Sequence, residues 1–291
     1  MRYLIIGGTG SLGEAFIDCV WKREHDLDVT SLSREELKQI NLRKKFPFVK
    51  TVIGDVKDEY SLEKHIKNAD AVFNFAALKH VDICEDNQAE SFKNNLLGAM
   101  NVADLCERYD IAYSVFSSTD KAVLPINVYG FHKGAAERYY MEKNAARSTT
   151  CYSVFRWGNV CGSRGSVVHK FKDTLTREKA VYITHEEMTR FWIDIKEVAV
   201  FMYDNFKLPT NDVAHIPAMK SSSVIDLASA VAKVLNISDY KTFISGIRRG
   251  EKIHEVLQSE HERFGGCIRS DTAPKFTFPE LCDLVERTLS V

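Results

Sequence analysis

Tyr129 and Lys133 are four residues apart, a spacing that sets a phenol and an ammonium on one face of a helix. An ammonium beside a phenol lowers its pKa, and a phenol so tuned can act as a base toward an alcohol. Just upstream stands Ser117-Ser118-Thr119-Asp120-Lys121. Thr119 can share a hydrogen bond with the same alcohol, and Asp120 and Lys121 add a carboxyl and an amine. None of these spacings is distinctive alone. A tyrosine and lysine on a helix surface, or an ion-paired Asp-Lys loop, would read the same, so their weight depends on the setting.

The N-terminal segment supplies that setting. Gly7-Gly8-Thr9-Gly10-Ser11-Leu12-Gly13 fits G-x-x-G-x-x-G through Gly7, Gly10 and Gly13, and G-x-G-x-x-G through Gly8, Gly10 and Gly13. It follows the apolar run Tyr3–Ile6 and opens the amphipathic stretch Leu12–Lys22. Glycine there permits positive φ and close approach of a pyrophosphate, which then meets the positive end of a helix. The expected ligand is a nicotinamide dinucleotide held by Gly7, Thr9, Gly10, Ser11, Leu12 and Gly13, with Tyr129 and Lys133 at its nicotinamide ribose. The second apolar run ends Thr30-Ser31-Leu32-Ser33-Arg34, without the acidic residue that binds an NAD ribose. Ser31, Ser33 and Arg34 suit a 2′-phosphate, so NADP is expected over NAD. In Gly54-Asp55-Val56, Asp55 either accepts from the adenine amino group or caps a helix. Ala76-Ala77-Leu78-Lys79 offers small residues against which the ribose can lie.

These residues need a scaffold that brings strand ends together. Short apolar runs at Tyr3–Ile6, Asp28–Leu32, Val49–Ile53, Ala71–Phe75, Ala112–Ser117 and Tyr152–Arg156 read as buried parallel strands. Helical patterns lie between them, at Leu12–Lys22, Glu35–Lys44, Tyr60–Lys67, Ala89–Tyr109 and Tyr129–Asn144. The alternation predicts an α/β fold, a doubly wound parallel sheet of Rossmann type with a smaller C-terminal substrate-binding region. The expected division is 1–157 for the dinucleotide and mainly 158–291 for the substrate. Segments near 190–216 are expected to pack back onto the first part. Gly158–Gly165 reads as a loop, Arg190–Ile195 and Val213–Ile216 as short extended segments, and Val224–Leu235 as a helix.

Composition excludes other classes. The 291 residues carry a net charge of -1, with 45% hydrophobic and 27% charged, so nothing draws the chain to nucleic acid or an anionic membrane. No apolar run approaches the roughly 20 residues of a membrane span, and the N-terminal run is too short for a signal-peptide core. The seven cysteines lack C-x-x-C spacing, so no metal site is expected and the thiols read as reduced. A cytoplasmic location is the expectation.

Ser117, Tyr129 and Lys133 resemble the catalytic region of the extended short-chain dehydrogenase/reductase superfamily. A narrower resemblance rests on Ser118-Thr119-Asp120-Lys121-Ala122 and Pro125-Ile126-Asn127-Val128-Tyr129-Gly130. With Ala76-Ala77-Leu78-Lys79-His80-Val81, Arg156-Trp157-Gly158-Asn159-Val160, Gly162-Ser163-Arg164-Gly165-Ser166-Val167, Met188-Thr189-Arg190-Phe191-Trp192-Ile193 and Gly250-Glu251-Lys252-Ile253-His254-Glu255, they resemble inverting UDP-N-acetylglucosamine 4,6-dehydratases. The resemblance implies that Tyr129 removes the O4 proton as hydride leaves C4. The 4-ketone then acidifies C5, and Lys121 takes that proton while Asp120 protonates the departing C6 hydroxyl. Lys121 must then be neutral, with a depressed pKa, and Asp120 protonated, with a raised one. Retaining dehydratases carry an acidic pair here, so Asp-Lys implies inversion at C5.

For a UDP-sugar, Arg164, Arg190 and Arg248 are candidates for the diphosphate, as guanidinium forks match phosphate oxygens. Asn159 and Ser166 are further candidates for substrate contact. Glu251 either accepts from the ribose hydroxyls or sits at a helix start, and Lys79 either approaches the sugar or is structural. Asn74, Phe75, Trp157 and Arg249 depart from the family's usual residues. Alternative readings are a 4-epimerase, a 5,6-dehydratase, or a non-catalytic nucleotide-sugar sensor. The helices Ala89–Tyr109 and Tyr129–Asn144 imply, by resemblance, a homo-oligomer.

Overall fold

In the computed structural model, which describes residues 1–146, 148–262 and 266–290, strand β1 (Arg2–Ile6) lies at the centre of a six-stranded parallel sheet. Its alternate side chains are buried on opposite faces. Tyr3 and Ile5 join one apolar cluster with Phe16 and Phe73, while Leu4 and Ile6 join another with Leu62 and Val102. A strand buried on both faces must be covered by helices on both sides. The remaining strands are β2 (Asp28–Ser33), β3 (Lys50–Ile53), β4 (Ala71–Asn74), β5 (Tyr113–Ser117) and β6 (Cys151–Phe155), in the order β3-β2-β1-β4-β5-β6. All six match the expected runs within a residue or two, and the doubly wound sheet is as the alternation predicts. The order reverses between β1 and β4, which opens a crevice at the strands' C-terminal ends.

Helices α1 (Ser11–Arg23), α2 (Glu36–Lys45) and α3 (Glu59–Ile66) follow the first three strands. The expected single helix Ala89–Tyr109 is instead α5 (Gln88–Ser91), a π-helical stretch Phe92–Leu97 and α6 (Gly98–Arg108), preceded by α4 (Val81–Asp86). The wider π turn directs Asn95 at the β4 loop, where its amide bonds both N–H and C=O of Leu78 (2.8 and 2.9 Å). The long helix α7 (Val128–Ala145) carries Tyr129 and Lys133.

Beyond residue 158 the elements are smaller. Gly158–Gly165 is not all loop, since β7 (Asn159–Cys161) lies within it. After α8 (Val167–Glu178) and β8 (Ala180–Ile183), β9 (Thr189–Asp194) pairs with β7 and with β10 (Lys220–Ser223). Val213–Ile216 is not a strand, but His215 bridges Phe155 at the edge of β6. Helix α9 (Ile195–Asn205) packs against α1, and its Val198, Ala199 and Met202 belong to the core around Phe16. Helices α10 (Val224–Val234) and α11 (Phe278–Leu289) cover the small sheet. Four helices, α4, α8, α9 and α11, lay outside the sequence expectation, although α11 starts at a Thr277/Glu280 capping box. No described helix is long and apolar enough to cross a membrane.

One buried ion cluster joins the two halves. Arg156, just after β6, donates to both carboxylate oxygens of Glu137 on α7 (3.0 and 2.6 Å), both of Glu262 (3.2 and 2.9 Å) and the carbonyl of Leu257 (2.7 Å). Removing the cation leaves two carboxylates uncompensated in the interior, which costs about 3–5 kcal/mol. Arg156→Met should lower stability by that amount in urea unfolding, and a loss under about 1 kcal/mol would show that the cluster does not hold the halves together.

Candidate active site

A cleft of about 710 Å³ follows the sheet's switch point and continues over α7 and β7. The glycine loop forms one end. Gly7 has φ of +81°, and a Cβ there would sit 2.9 Å from the backbone N of Ala76, so only glycine lets this turn touch the β4 loop. Gly10 is the N-cap of α1 and no side chain caps that helix start, so its first amides face the cleft. Uncapped amides at a helix's positive end fit a diphosphate. Thr9, Ser11, Leu12, Gly13, Val56, Ala76 and Ala77 line the same groove. The residues present therefore fit a dinucleotide.

Ser33, Arg34 and Asp55 line its far end. Arg34 lies 3.9 Å from Asp55 and 3.5 Å from the Asn94 amide oxygen. Ser31 is not at this tip. It is fully buried below Gly8, where a Cβ would come within 2.4 Å of its hydroxyl, because alternation along β2 turns it inward. Asp55 does not cap α3, since that role falls to Asp58, which accepts from the N–H of Tyr60 at 3.1 Å.

The opposite wall is set by α7. Asn127 caps it by accepting from the N–H of Gly130 (2.7 Å), and its amide donates to the carbonyl of Gly250 (2.8 Å). A Cβ on Gly130 would lie 2.2 Å from the carbonyl oxygen of Lys121, so the first turn of α7 rests directly on the loop after β5. This contact brings Tyr129 and Lys133 beside the short 3₁₀ turn Asp120–Ala122. Thr119 donates to Asp120 Oδ1 at 3.0 Å. Lys121 Nζ lies 3.0 Å from Asp120 Oδ1 and 3.3 Å from Glu255 Oε1. Thr119, Lys121, Tyr129 and Lys133 line the cleft, and Asp120 is fully buried behind them.

The electrostatics depart from the simple expectation. Burial pushes Tyr129 up to about 12, and the cation that opposes it is Lys121, not Lys133. Burial pulls Lys133 down to about 7, its ammonium donates to the carbonyl of Ser117, and it sits 3.9 Å over the Phe116 ring. Burial raises Asp120, the direction an acid requires. Burial alone would depress Lys121, but Asp120 and Glu255 outweigh it and hold the amine well above the ordinary lysine range. The expected neutral lysine is thus corrected, because the carboxylates that fix its position also stabilise its charge.

The substrate candidates separate. Asn159, Ser166 and Lys79 line the cleft. Lys79 donates to the carbonyl of Arg164 at 2.8 Å, and burial lowers its pKa. Arg164 lies over the glycine loop, its guanidinium donating to the carbonyl of Thr9 and its N–H to Ser11 Oγ (2.9 Å), so it sits at the glycine-loop end of the cleft. Arg190, Arg248 and Glu251 do not line the cleft. Arg190 is buried, its guanidinium donating to the carbonyls of Thr189, Ile253 and Lys252, so its fork is spent on backbone. Glu251 accepts from the N–H of Arg248 at 3.2 Å. Sequence reasoning missed Glu255, Asn127 and Asn95. Asn127 carried only the general preference of asparagine for helix N-caps, and Glu255 becomes a neighbour of Lys121 only through the fold.

The depressed Lys133 yields a pH test. Its folded pKa of about 7 lies below the unfolded value, so the unfolded chain binds more protons between the two. That contribution to stability rises with pH from about 7 toward about 10.5 and is lost as pH falls through 7. The urea midpoint of the native chain, compared with Lys133→Met, should gain over this window. A constant gap between the two would exclude a depressed Lys133.

Residues 3–269 match the model of the family described as polysaccharide biosynthesis protein. The chain is 38% identical over 264 residues to a UDP-N-acetylglucosamine 4,6-dehydratase (inverting) of Campylobacter jejuni, covering 89% of this chain and 78% of that one. It is 35% identical over 266 residues to a UDP-glucose 4-epimerase of Rickettsia bellii, again covering 89% and 78%. The crystal structure of Pen from Bacillus thuringiensis superposes with a TM-score of 0.91 at 27% identity, over 100% of this chain and 98% of that one. The fold and the family match over nearly the whole chain lead to one assignment: this protein belongs to the polysaccharide biosynthesis family, on a short-chain dehydrogenase-like scaffold.

Proposed function

We propose that the protein dehydrates UDP-N-acetylglucosamine to a 6-deoxy-4-keto UDP-sugar with inversion at C5, as a lyase of surface-glycan biosynthesis. The observation that carries this reading is the pair of fully buried Asp120 and partly buried Lys121 beside Tyr129. Oxidation at C4 needs only the tyrosine, the lysine on α7 and a dinucleotide. An additional carboxyl, buried, and an amine at the cleft wall suit the removal of a C5 proton and of a C6 hydroxyl. A bound nicotinamide dinucleotide supplies the temporary store of a hydride. The rest is done by the chain. Tyr129 takes the O4 proton, Thr119 orients that hydroxyl, Lys121 acts at C5 and Asp120 donates to the leaving oxygen. Tyr129 also needs its proton drawn away, and Lys121 is the cation placed to help.

The dinucleotide is read as NADP, because Ser33 and Arg34 occupy the tip of β2 where an acidic residue would favour NAD. Residues 1–157 with the 190–216 segment form the dinucleotide part, and 158–291 mainly the nucleotide-sugar part. The start of α8 at Ser166 has no side-chain cap and faces the cleft, so its amides suit the substrate diphosphate. Phe92, Leu97 and Phe131 are exposed on the π stretch and α7, which supports a homo-oligomer. A 4-epimerase is the second reading, favoured by the 35% identity to a protein of that name.

Incubation with UDP-N-acetylglucosamine in heavy water should give a 6-deoxy-4-keto sugar of L configuration with deuterium at C5, read by NMR. Recovery of a 4-epimer with C6 still oxygenated would replace this reading with the second. Lys121→Ala should abolish C5 exchange while the dinucleotide still binds, and persistent exchange would remove Lys121 as the base. Arg34→Glu should weaken NADP binding about tenfold or more and spare NAD, since one charge-assisted bond contributes about 1.5–3 kcal/mol. Equal losses for both would dissociate Arg34 from the 2′-phosphate.

A further inference from the structure

Helix α7 is held from a further side, by a carboxyl that stands outside the cleft lining. Glu85 lies near the end of α4, the short helix that follows the β4 loop and packs on α7. Its side chain is 12% exposed, and its Oε1 accepts from the N–H of Val128 at 2.7 Å. Val128 opens α7, and Tyr129 is the next residue. A helix start leaves N–H groups without partners inside the helix, and a carboxylate there satisfies one while meeting the positive end of the dipole. In this first turn Glu85 takes the N–H of Val128, and Asn127 takes that of Gly130. Glu85 Oε2 faces the other way, 3.5 Å from Nε of Arg249, the residue before Gly250.

The two contacts of Glu85 differ in strength. The bond to Val128 is short and shielded from water. Arg249 is 84% exposed, so solvent screens its pair with Glu85. The Val128 bond also has the greater consequence, because it ties down the peptide that leads into Tyr129. The other supports of this turn are the Lys121 carbonyl beneath Gly130 and the link from Asn127 to Gly250, and neither holds the Val128 amide. We infer that Glu85 is the positioning residue that seats Tyr129, fixing the first peptide of α7 so that the phenol meets the C4 hydroxyl of the sugar.

The inference rests on the C4 oxidation in the reading above, a step that the dehydratase and the epimerase share. Tyr129 removes the O4 proton as hydride leaves C4 for the nicotinamide, so the base must be aligned when the hydride moves. A displacement of about 1 Å in such an alignment costs about 100-fold in rate. Glu85 lies outside the cleft lining, so sugar and dinucleotide binding should be unchanged without it. A loss confined to the chemical step separates a seat for Tyr129 from a contribution to stability or to substrate binding.

The test compares the native holoenzyme with E85A, E85Q and R249M, using UDP-N-acetylglucosamine. C4 oxidation is followed by the near-ultraviolet absorbance of reduced nicotinamide over a range of substrate concentrations. E85A should oxidise C4 about 100-fold more slowly, with half-saturation within about threefold of native. E85Q keeps an oxygen that can accept from Val128 and should recover to within about fivefold of native. R249M should stay within about threefold, since it removes only the exposed pair. A native rate in E85A overturns the inference, as does E85Q as slow as E85A, or weaker half-saturation at an unchanged rate. If E85A does not fold, E85D sets the acceptor back by one methylene. Slower oxidation at native half-saturation then supports the role, and a native rate overturns it. If the native enzyme leaves its nicotinamide oxidised, the reading above fails. The seat is then followed by the NMR ring signal of isotope-labelled Tyr129, assigned with Y129F. A signal displaced in E85A and native in E85Q supports the role, and one unmoved in E85A overturns it.

Discussion

The carbonyl of Lys121 presses against the Cα of Gly130, and much of the site follows from that contact. A Cβ at this point would overlap the oxygen, so any larger residue would lift α7 from the loop after β5. Because the helix sits flush, its first turn delivers Tyr129 beside Asp120 and Lys121, and its next turn delivers Lys133 beneath Ser117. The same turn is pinned from the other side, since Asn127 both caps α7 and binds the carbonyl of Gly250. Tyr129, Lys133, Asp120 and Lys121 thus share one rigid junction rather than two loops.

Burial then governs what these groups can do. The junction is nearly dry, so charge on each titrating side chain depends on its neighbours instead of on water. For Lys133 burial outweighs the nearby charge of Glu137, and the amine drifts toward neutrality. Lys121, flanked by two carboxyls, goes the other way. Two lysines twelve positions apart in sequence therefore take opposite electrostatic characters. The Arg156 cluster plays a purely structural part in the same region, with five donor contacts that leave its guanidinium no capacity for a ligand.

The smaller C-terminal elements supply what the sheet cannot. The segment 250–258 carries Glu255 to Lys121 and receives the guanidinium of Arg190 on its backbone. The turn at Ser163–Ser166 lays Arg164 across the glycine loop, and Lys79 holds that turn by its carbonyl. Arg190 and Arg164 are both arginines of the kind that binds phosphate, yet one braces the backbone and the other overlies the glycine loop.

Local pattern was enough for the sheet. Apart from the edge strand β3, whose residues are only partly buried or exposed, the strand runs are buried on both faces, and such runs announce themselves without knowledge of their partners. The glycine loop was equally legible, because its chemistry depends on neighbouring residues in the chain. Placing Tyr129 and Lys133 on successive turns of one helix needed only helical spacing, although the cation that acts on Tyr129 proved to be Lys121. Other features were set by contacts between distant segments. Ser31 looked like a tip residue until the pleat turned it under Gly8, and the helix at 88–108 hid a π turn whose purpose is to reach Leu78. Most of all, the charge on Lys121 could not be read from the sequence. The carboxylate that decides it arrives from residue 255, and electrostatic coupling depends on distance in space, which only the tertiary structure fixes.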